Sequence, residues 1–95
     1  MQSFDAETAA RVIAENAVSA FLQYRSGPLN LKADARLLAI SAVMAELMPI
    51  LPTDSGAQAA EACNRGLMFF SRMGVDGPTI SDVDMDDGSV TVRPV

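Results

Sequence analysis

The segment at residues 31–48 restricts the fold of this chain more than any other stretch. Its apolar residues lie on nearly every side of a helical wheel, and apart from Asp34 near its start only a narrow strip with Lys32, Arg36 and Glu46 is charged. Successive residues of an α-helix are rotated by about 100°, so this helix would be apolar almost all round. Such a helix needs cover on most of its sides. We therefore expect the other elements to pack around it.

The first helix is predicted at about residues 5–25 from the residues at its two ends. Asp5, or alternatively Ser3, can cap the free N–H groups of the first turn. Gly27 can take the left-handed conformation that ends a helix, and Pro28 cannot continue one. The apolar stripe between these ends is mostly alanine, which allows close packing but buries little area.

The second helix covers the apolar segment itself, at about residues 31–48, with Asn30 as its expected N-cap. It ends just before Pro49, because a proline disfavours helical backbone at the residue that precedes it. Residues 49–52 contain two prolines and two large apolar side chains. We expect them to form an extended connector that packs onto the core.

The third helix has the clearest start signal in the chain and is predicted at about residues 56–73. Ser55 is followed three residues later by Gln58, and this spacing is typical of a capping box. Gly74 supplies the stop. The apolar face of this helix has small residues near its start and large ones near its end, so another helix can come close to its first half.

The last part of the chain changes to the two-residue period of β-strands, and a hairpin is predicted at about residues 80–93. Asp87 and Gly88 form a preferred two-residue turn. Folding the chain about them places Asp82 opposite Arg93, which is an attractive pair. One face of this hairpin is apolar and consists of Val83, Met85, Val90 and Val92. Two strands alone are marginally stable, so this face must dock on the helices.

These elements predict a mainly α fold: a three-helix, bundle-like domain with the apolar second helix at its centre, followed by a C-terminal β-hairpin. The 95 residues suit one small domain, spanning 1–95. A domain of this size has little surface with which to cover the second helix. We therefore expect a second copy of the chain to cover its remaining side, and a two-fold homodimer is the commonest such assembly.

Five apolar residues are candidates for an interface because they fall outside the predicted core stripes or belong to the excess of the second helix. They are Val18, Leu22, Phe69, Met44 and Met48. In an antiparallel pair of second helices, Arg36 of one copy could also meet Glu46 of the other.

Composition and charge exclude several classes of function. The net charge is −5 and no basic face is visible, so we expect no nucleic-acid binding. The longest apolar run is shorter than the roughly 20 residues that span a bilayer, and no signal peptide is evident. We expect a cytoplasmic protein without a membrane or cofactor partner. The chain has no histidine, which removes the commonest general base and transition-metal ligand, so we expect no enzyme.

Two features resemble functional sites but fail on inspection. The aspartates Asp82, Asp84 and Asp86 have the spacing that opens an EF-hand loop, but Asp87 stands where that loop needs glycine and Arg93 where it needs glutamate. Solvated residues on the outer face of a hairpin explain the spacing equally well. The one cysteine, Cys63, lies on an apolar stripe with no histidine to activate it. We interpret it as a small core residue.

The sequence leaves two functional hypotheses. The first is a non-enzymatic interaction or adaptor protein that acts as a homodimer and binds a protein partner through the free edge of its acidic hairpin. The second is a small-ligand-binding domain with an apolar pocket between the second and third helices. The residues that would line this pocket are Met44, Leu47, Leu67 and Phe70.

Overall fold

A computed structural model of the chain describes residues 5–27, 29 and 31–93. Three helices are followed by a two-stranded antiparallel hairpin, which confirms the predicted fold class. The elements are α1 Ala6–Tyr24, α2 Ala35–Leu47, a 3-10 turn at Met48–Ile50, α3 Gly56–Ser71, β1 Thr79–Val83 and β2 Val90–Arg93. The predicted roles of Ser3, Pro28 and Asn30 fall on residues outside those described.

The start of α1 is capped as predicted, and its buried residues are Ala10, Ile13, Ala14, Ala17, Val18 and Phe21. The Asp5 carboxylate accepts a hydrogen bond from the Thr8 N–H at 2.7 Å, and this bond lowers the pKa of Asp5. Ala14 and Val18 are fully buried, whereas Tyr24 is half exposed. The prediction of Val18 as an interface residue is therefore wrong. Val18 belongs to the core cluster of the protomer itself.

Helix α2 begins four residues later than predicted. A turn precedes it, in which the Ala35 N–H donates to the Lys32 carbonyl at 3.0 Å. The helix ends at Leu47, immediately before the predicted stop region. The chain then makes a 3-10 turn that includes Pro49, where an extended connector was predicted. A proline needs no N–H partner in such a first turn, so the chain tightens there rather than extending.

Helix α3 begins at the predicted capping residue. The Ser55 Oγ accepts the Gln58 N–H at 3.1 Å. In a capping box the Gln58 side chain would accept the Ser55 N–H directly. Here the Thr53 hydroxyl lies between them, because it accepts the Ser55 N–H at 3.2 Å and donates to Gln58 Oε1 at 3.0 Å. The capping arrangement therefore uses three side chains instead of two.

The end of α3 is set by Gly74, as predicted, although the helix itself ends at Ser71, two residues before the predicted end. Gly74 has a φ of 78° and donates its N–H to the Ser71 carbonyl, while the Val75 N–H reaches back to the Phe70 carbonyl, both at 3.0 Å. This pair of bonds is a Schellman motif. It turns the chain so that Val75 enters the core.

The hairpin has the predicted apolar face but a different register. Asp82 lies opposite Thr91 instead of Arg93, and β1 has a bulge at Ser81, between Ile80 and Asp82. Between the loop and the bulge the pairing is displaced by two residues relative to the prediction, and at Ile80 and Thr79 by three, the third being the extra residue of the bulge. A displacement by two leaves every side chain on the same face, whereas a displacement by one would reverse them. For that reason the apolar face was predicted correctly and the Asp82–Arg93 pair was not.

The turn of the hairpin explains the displacement. The Asp84 N–H bonds to the Ser89 carbonyl at 2.8 Å, and the Gly88 N–H bonds back to the Asp84 carbonyl at 2.7 Å. Four residues therefore form the loop, not two. A type I′ turn would need a positive φ at Asp87 as well as at Gly88, but only Gly88 has one. The side chain of Asp87 instead accepts the Ser89 N–H at 2.8 Å.

The elements follow one another in a ring around one core: α1 packs on α2, α2 on α3, α3 on β1, and β2 on α1. The rings of Phe21 and Phe70 stack at its centre with centroids 4.8 Å apart. Helix α2 is the middle one of the three helices, but the ring covers only its inner side. No helix within the described residues is long and apolar enough to cross a membrane.

Candidate interaction surface

The outer face of α2 carries the two most exposed large apolar side chains among the described residues. Leu37 and Leu38 are 67% and 53% exposed, and Met48, just beyond the end of the helix, is 40% exposed. Between them lie the small exposed residues Ser41 and Ala45. At about 100° per residue, these five side chains occupy one continuous side of the helix. Exposed apolar residues grouped in this way mark an interaction site more often than scattered ones do.

The charged residues of α2 lie at the flanks of this face, and each is engaged within its own chain. Arg36 donates to the Ser19 hydroxyl of α1 at 2.6 Å. Glu46 accepts from Arg65 Nε of α3 at 2.9 Å and so forms an ion pair between two helices. From Leu37 to Met48 the exposed face contains no charged side chain, and the exposed N-cap residue Asp34 lies at its N-terminal edge.

The predicted interface residues are separated by the fold. Met48 lies on the exposed face of α2, and Met44 lies beside it, half buried. Leu22 and Phe69 are half buried against the core, and Phe69 packs edge-on against Phe70 at 5.6 Å. Only the two methionines therefore belong to one surface.

Leu37 and Leu38 were missed as interface residues, although a signal for them was present. Both belong to the apolar segment of the second helix, but the sequence pattern does not distinguish their side of the helix from the side that α1 and α3 cover. On the helical wheel, Leu37 lies within about 20° of Met48, which had been selected. The wheel alone could have grouped them, but it could not show which side of α2 would stay open.

The residues of the predicted ligand pocket fill the core. Leu47 and Phe70 are fully buried, and the backbone of Gly66 lies directly against Val43, so that α2 and α3 are in close contact. Of the four predicted lining residues, only Leu67 lines one of the two best-defined cavities among the described residues.

The two cavities lie on the hairpin side of the protein. One, of about 170 Å³, lies between the first half of α1 and the hairpin loop. The other, of about 240 Å³, lies between α3 and the segment at residues 75–79. Both are smaller than the roughly 300 Å³ at which small-molecule sites begin. The geometry therefore gives little support to the ligand-binding hypothesis.

Cys63 is fully buried on α3, as predicted from the apolar stripe. Its burial raises the pKa of the thiol to about 12, because a thiolate would lose its solvation there. We expect a thiol reagent at pH 8 to leave the folded protein unmodified and to label one thiol per chain in guanidinium. Modification of the folded protein at the rate of free cysteine would contradict this placement.

The aspartates of the hairpin loop are used in local hydrogen bonds. Asp84 accepts the Asp86 N–H at 2.8 Å, and the bond from the Ser89 N–H lowers the pKa of Asp87. Asp86 is exposed, and within the described residues its carboxylate makes no hydrogen bond. These contacts give the loop a fixed, negatively charged surface.

Comparison of the chain with family models, curated proteins and solved structures finds no match. Two surfaces of the protein are candidates for function, the exposed apolar face of α2 and the acidic hairpin.

Proposed function

We propose that this protein is a small, non-enzymatic protein–protein interaction domain that acts as a homodimer, with the outer face of α2 as the contact between the two copies. The observation that carries the proposal is the exposed apolar face of α2, which has no charged side chain between Leu37 and Met48 and only Asp34 at its N-terminal edge, in a chain whose net charge is −5. Burying Leu37, Leu38 and Met48 removes apolar area from water without desolvating a charged group of α2.

A second copy suits this face better than a different partner does. A closed two-fold pair brings each residue of the patch against the same patch on the other copy, so an uncharged face meets an uncharged face. In an antiparallel pair, the leucine end of one helix lies against the methionine end of the other. The small residues Ser41 and Ala45 then lie near the axis, where they allow the helices to approach closely.

The size of the face favours a reversible dimer. A helix of 13 residues is about 20 Å long, so the contact is smaller than the roughly 2,000 Å² or more of obligate dimers. A reversible dimer can bring two hairpins together on one partner, which strengthens weak individual contacts. The cytoplasm is the compartment we propose, since the buried thiol of Cys63 needs no oxidising environment.

Sedimentation from low micromolar to submillimolar concentration tests the proposal. We expect the wild-type chain to shift from the monomer mass to twice that mass as the concentration rises. Leu38→Glu should remain monomeric, because two-fold pairing would bury its carboxylate against apolar groups. A purely monomeric wild-type protein over this range would refute the proposal.

Met68→Glu is the matched control. Met68 is also about half exposed, but it lies on α3 beside the cavity at residues 75–79, away from the face of α2. The Met68→Glu variant should dimerise like the wild-type protein. Equal loss of the dimer in both variants would indicate a general effect of added charge instead of a contact through α2.

A further inference from the structure

The two edges of the hairpin differ, and only one of them is closed. On the outer edge of β1, the Asn64 side chain of α3 donates to the Ile80 carbonyl at 2.9 Å and accepts the Ile80 N–H at 2.8 Å. This amide occupies the place of a neighbouring strand. Further along the same edge, the Val83 carbonyl lies against Gly56 at the start of α3. Helix α3 therefore covers β1.

The outer edge of β2 is open within the part of the chain that the structure describes. Antiparallel pairs alternate between hydrogen-bonded and non-hydrogen-bonded, and the Asp84–Ser89 pair is hydrogen-bonded. Val90, opposite Val83, and Val92, opposite Ile80, are then the residues whose N–H and C=O groups point away from β1. Among the described residues, no hydrogen bond from a loop or a side chain reaches these groups.

The surroundings of this edge are acidic. The loop that leads into β2 carries Asp84, Asp86 and Asp87, all exposed, and the residues from 75 onward contain five aspartates against the single cation Arg93. Directly beyond the loop lies the 170 Å³ cavity, whose apolar wall from α1 includes Val12 and whose rim includes Asp86. An apolar side chain fits such a cavity, and a cation fits its rim.

We propose that the open edge of β2 binds an extended segment of another protein in which apolar residues alternate with lysine or arginine. The main chain of that segment would pair with Val90 and Val92, as in other complexes formed by strand addition. Its basic side chains would lie near Asp86 and Asp87. This inference identifies the partner of the hairpin that the proposed interaction domain requires, but the binding itself does not depend on dimerisation.

Charge excludes a second copy of the chain as the preferred occupant of this edge. Pairing β2 with β2 of another copy would bring two acidic loops together, and like charges across a sheet are unfavourable. Neither strand of the hairpin packs extensively against α2. The two surfaces can therefore be tested separately.

The probe is an acetylated and amidated peptide in which valine alternates with lysine, titrated into isotope-labelled protein and followed by amide chemical shifts. We expect saturable shifts at Val90 and Val92 with a submillimolar dissociation constant. A peptide with glutamate in place of lysine should bind at least about ten-fold more weakly, and N-methylation of the valines should abolish binding.

Two proline variants separate the outer edge from the inner one. Val92→Pro removes an N–H that points away from β1, where a proline is tolerated on an edge strand, so it should fold and lose most of its peptide binding. Thr91→Pro removes an N–H that faces β1 and should disrupt the hairpin. Asp86→Lys leaves the main chain unchanged and should exchange the preference between the lysine and glutamate peptides.

Four results would overturn the inference. The first two are no saturable binding of the lysine peptide and equal binding of the lysine and glutamate peptides. The third is unchanged peptide binding by both single variants, folded Val92→Pro and Asp86→Lys. The fourth is a concentration-dependent shift at Val90 without peptide, which would show a second copy at the edge. Leu38→Glu should still bind the peptide. Failure of dimerisation with intact peptide binding would therefore count against the α2 proposal alone.

Discussion

Gly66→Ala should destabilise this protein by about 3 kcal/mol, a loss that overpacking reaches only in tightly packed cores. A Cβ atom at Gly66 would lie 2.5 Å from the Cα and 2.8 Å from the backbone nitrogen of Val43 on α2. Backbone atoms in a helix cannot move aside as a flexible side chain can. Helices α2 and α3 would have to separate, and their shared apolar contacts would be lost.

The alanine also stabilises α3 in part, because glycine in a helix interior is about 0.5–1 kcal/mol less favourable than alanine. Chemical denaturation followed by circular dichroism measures the net effect. It should be done at one protein concentration, since dimerisation contributes to apparent stability. The midpoint of thermal unfolding should fall by roughly 12–24 °C, given about 4–8 °C per kcal/mol for a domain of this size.

Gly74→Ala is the control for this substitution. It places the same methyl group at a position with a positive φ and nothing within 4 Å, so it adds backbone strain of about 1–2 kcal/mol without a collision. If Gly66→Ala lowers the free energy of unfolding no more than Gly74→Ala does, α2 and α3 are not in close contact at Gly66.

Asn64→Ala is expected to have the next largest effect, also about 3 kcal/mol, because it leaves two main-chain groups of Ile80 without partners at a cost of about 1–3 kcal/mol each. Ile80 is 1% exposed, so water cannot replace the lost amide easily. We expect the amide hydrogen of Ile80 to exchange much faster, as β1 detaches from α3.

Asn16→Ala is the matched comparison, since Asn16 makes one bond to the hairpin, to the Gly88 carbonyl at 2.8 Å. It should cost about 1 kcal/mol. If Asn64→Ala costs no more than Asn16→Ala, the outer edge of β1 is not closed in the way described. The outer edge of β1 would then also be open to a partner strand, and β2 would not be the preferred edge.

The hairpin is therefore both a structural element and a candidate binding element. Ile80 and Val83 are buried in the core, so deletion of residues 75–95 is expected to destabilise the helices and cannot report on binding alone. The outer edge of β2 and the hairpin loop are the parts of the hairpin that can contact a partner. Point substitutions such as Val92→Pro are accordingly the appropriate test of function.

The sequence by itself determined the local features of this protein. The caps at Asp5 and Ser55, the stop at Gly74 and the apolar face of the hairpin depend on residues within a few positions of one another, because capping bonds and strand alternation are short-range. These predictions were confirmed, with helix ends displaced by up to four residues.

Tertiary structure alone decided which faces are covered. Burial of Val18, pairing of Glu46 with Arg65 and closure of the β1 edge by Asn64 each join residues that are far apart in sequence. Periodicity shows that the second helix is apolar all round, but not which side its neighbours leave open. The packing of α1 and α3 on one side of α2 leaves Leu37 and Leu38 exposed, since two flanking helices cannot enclose a third.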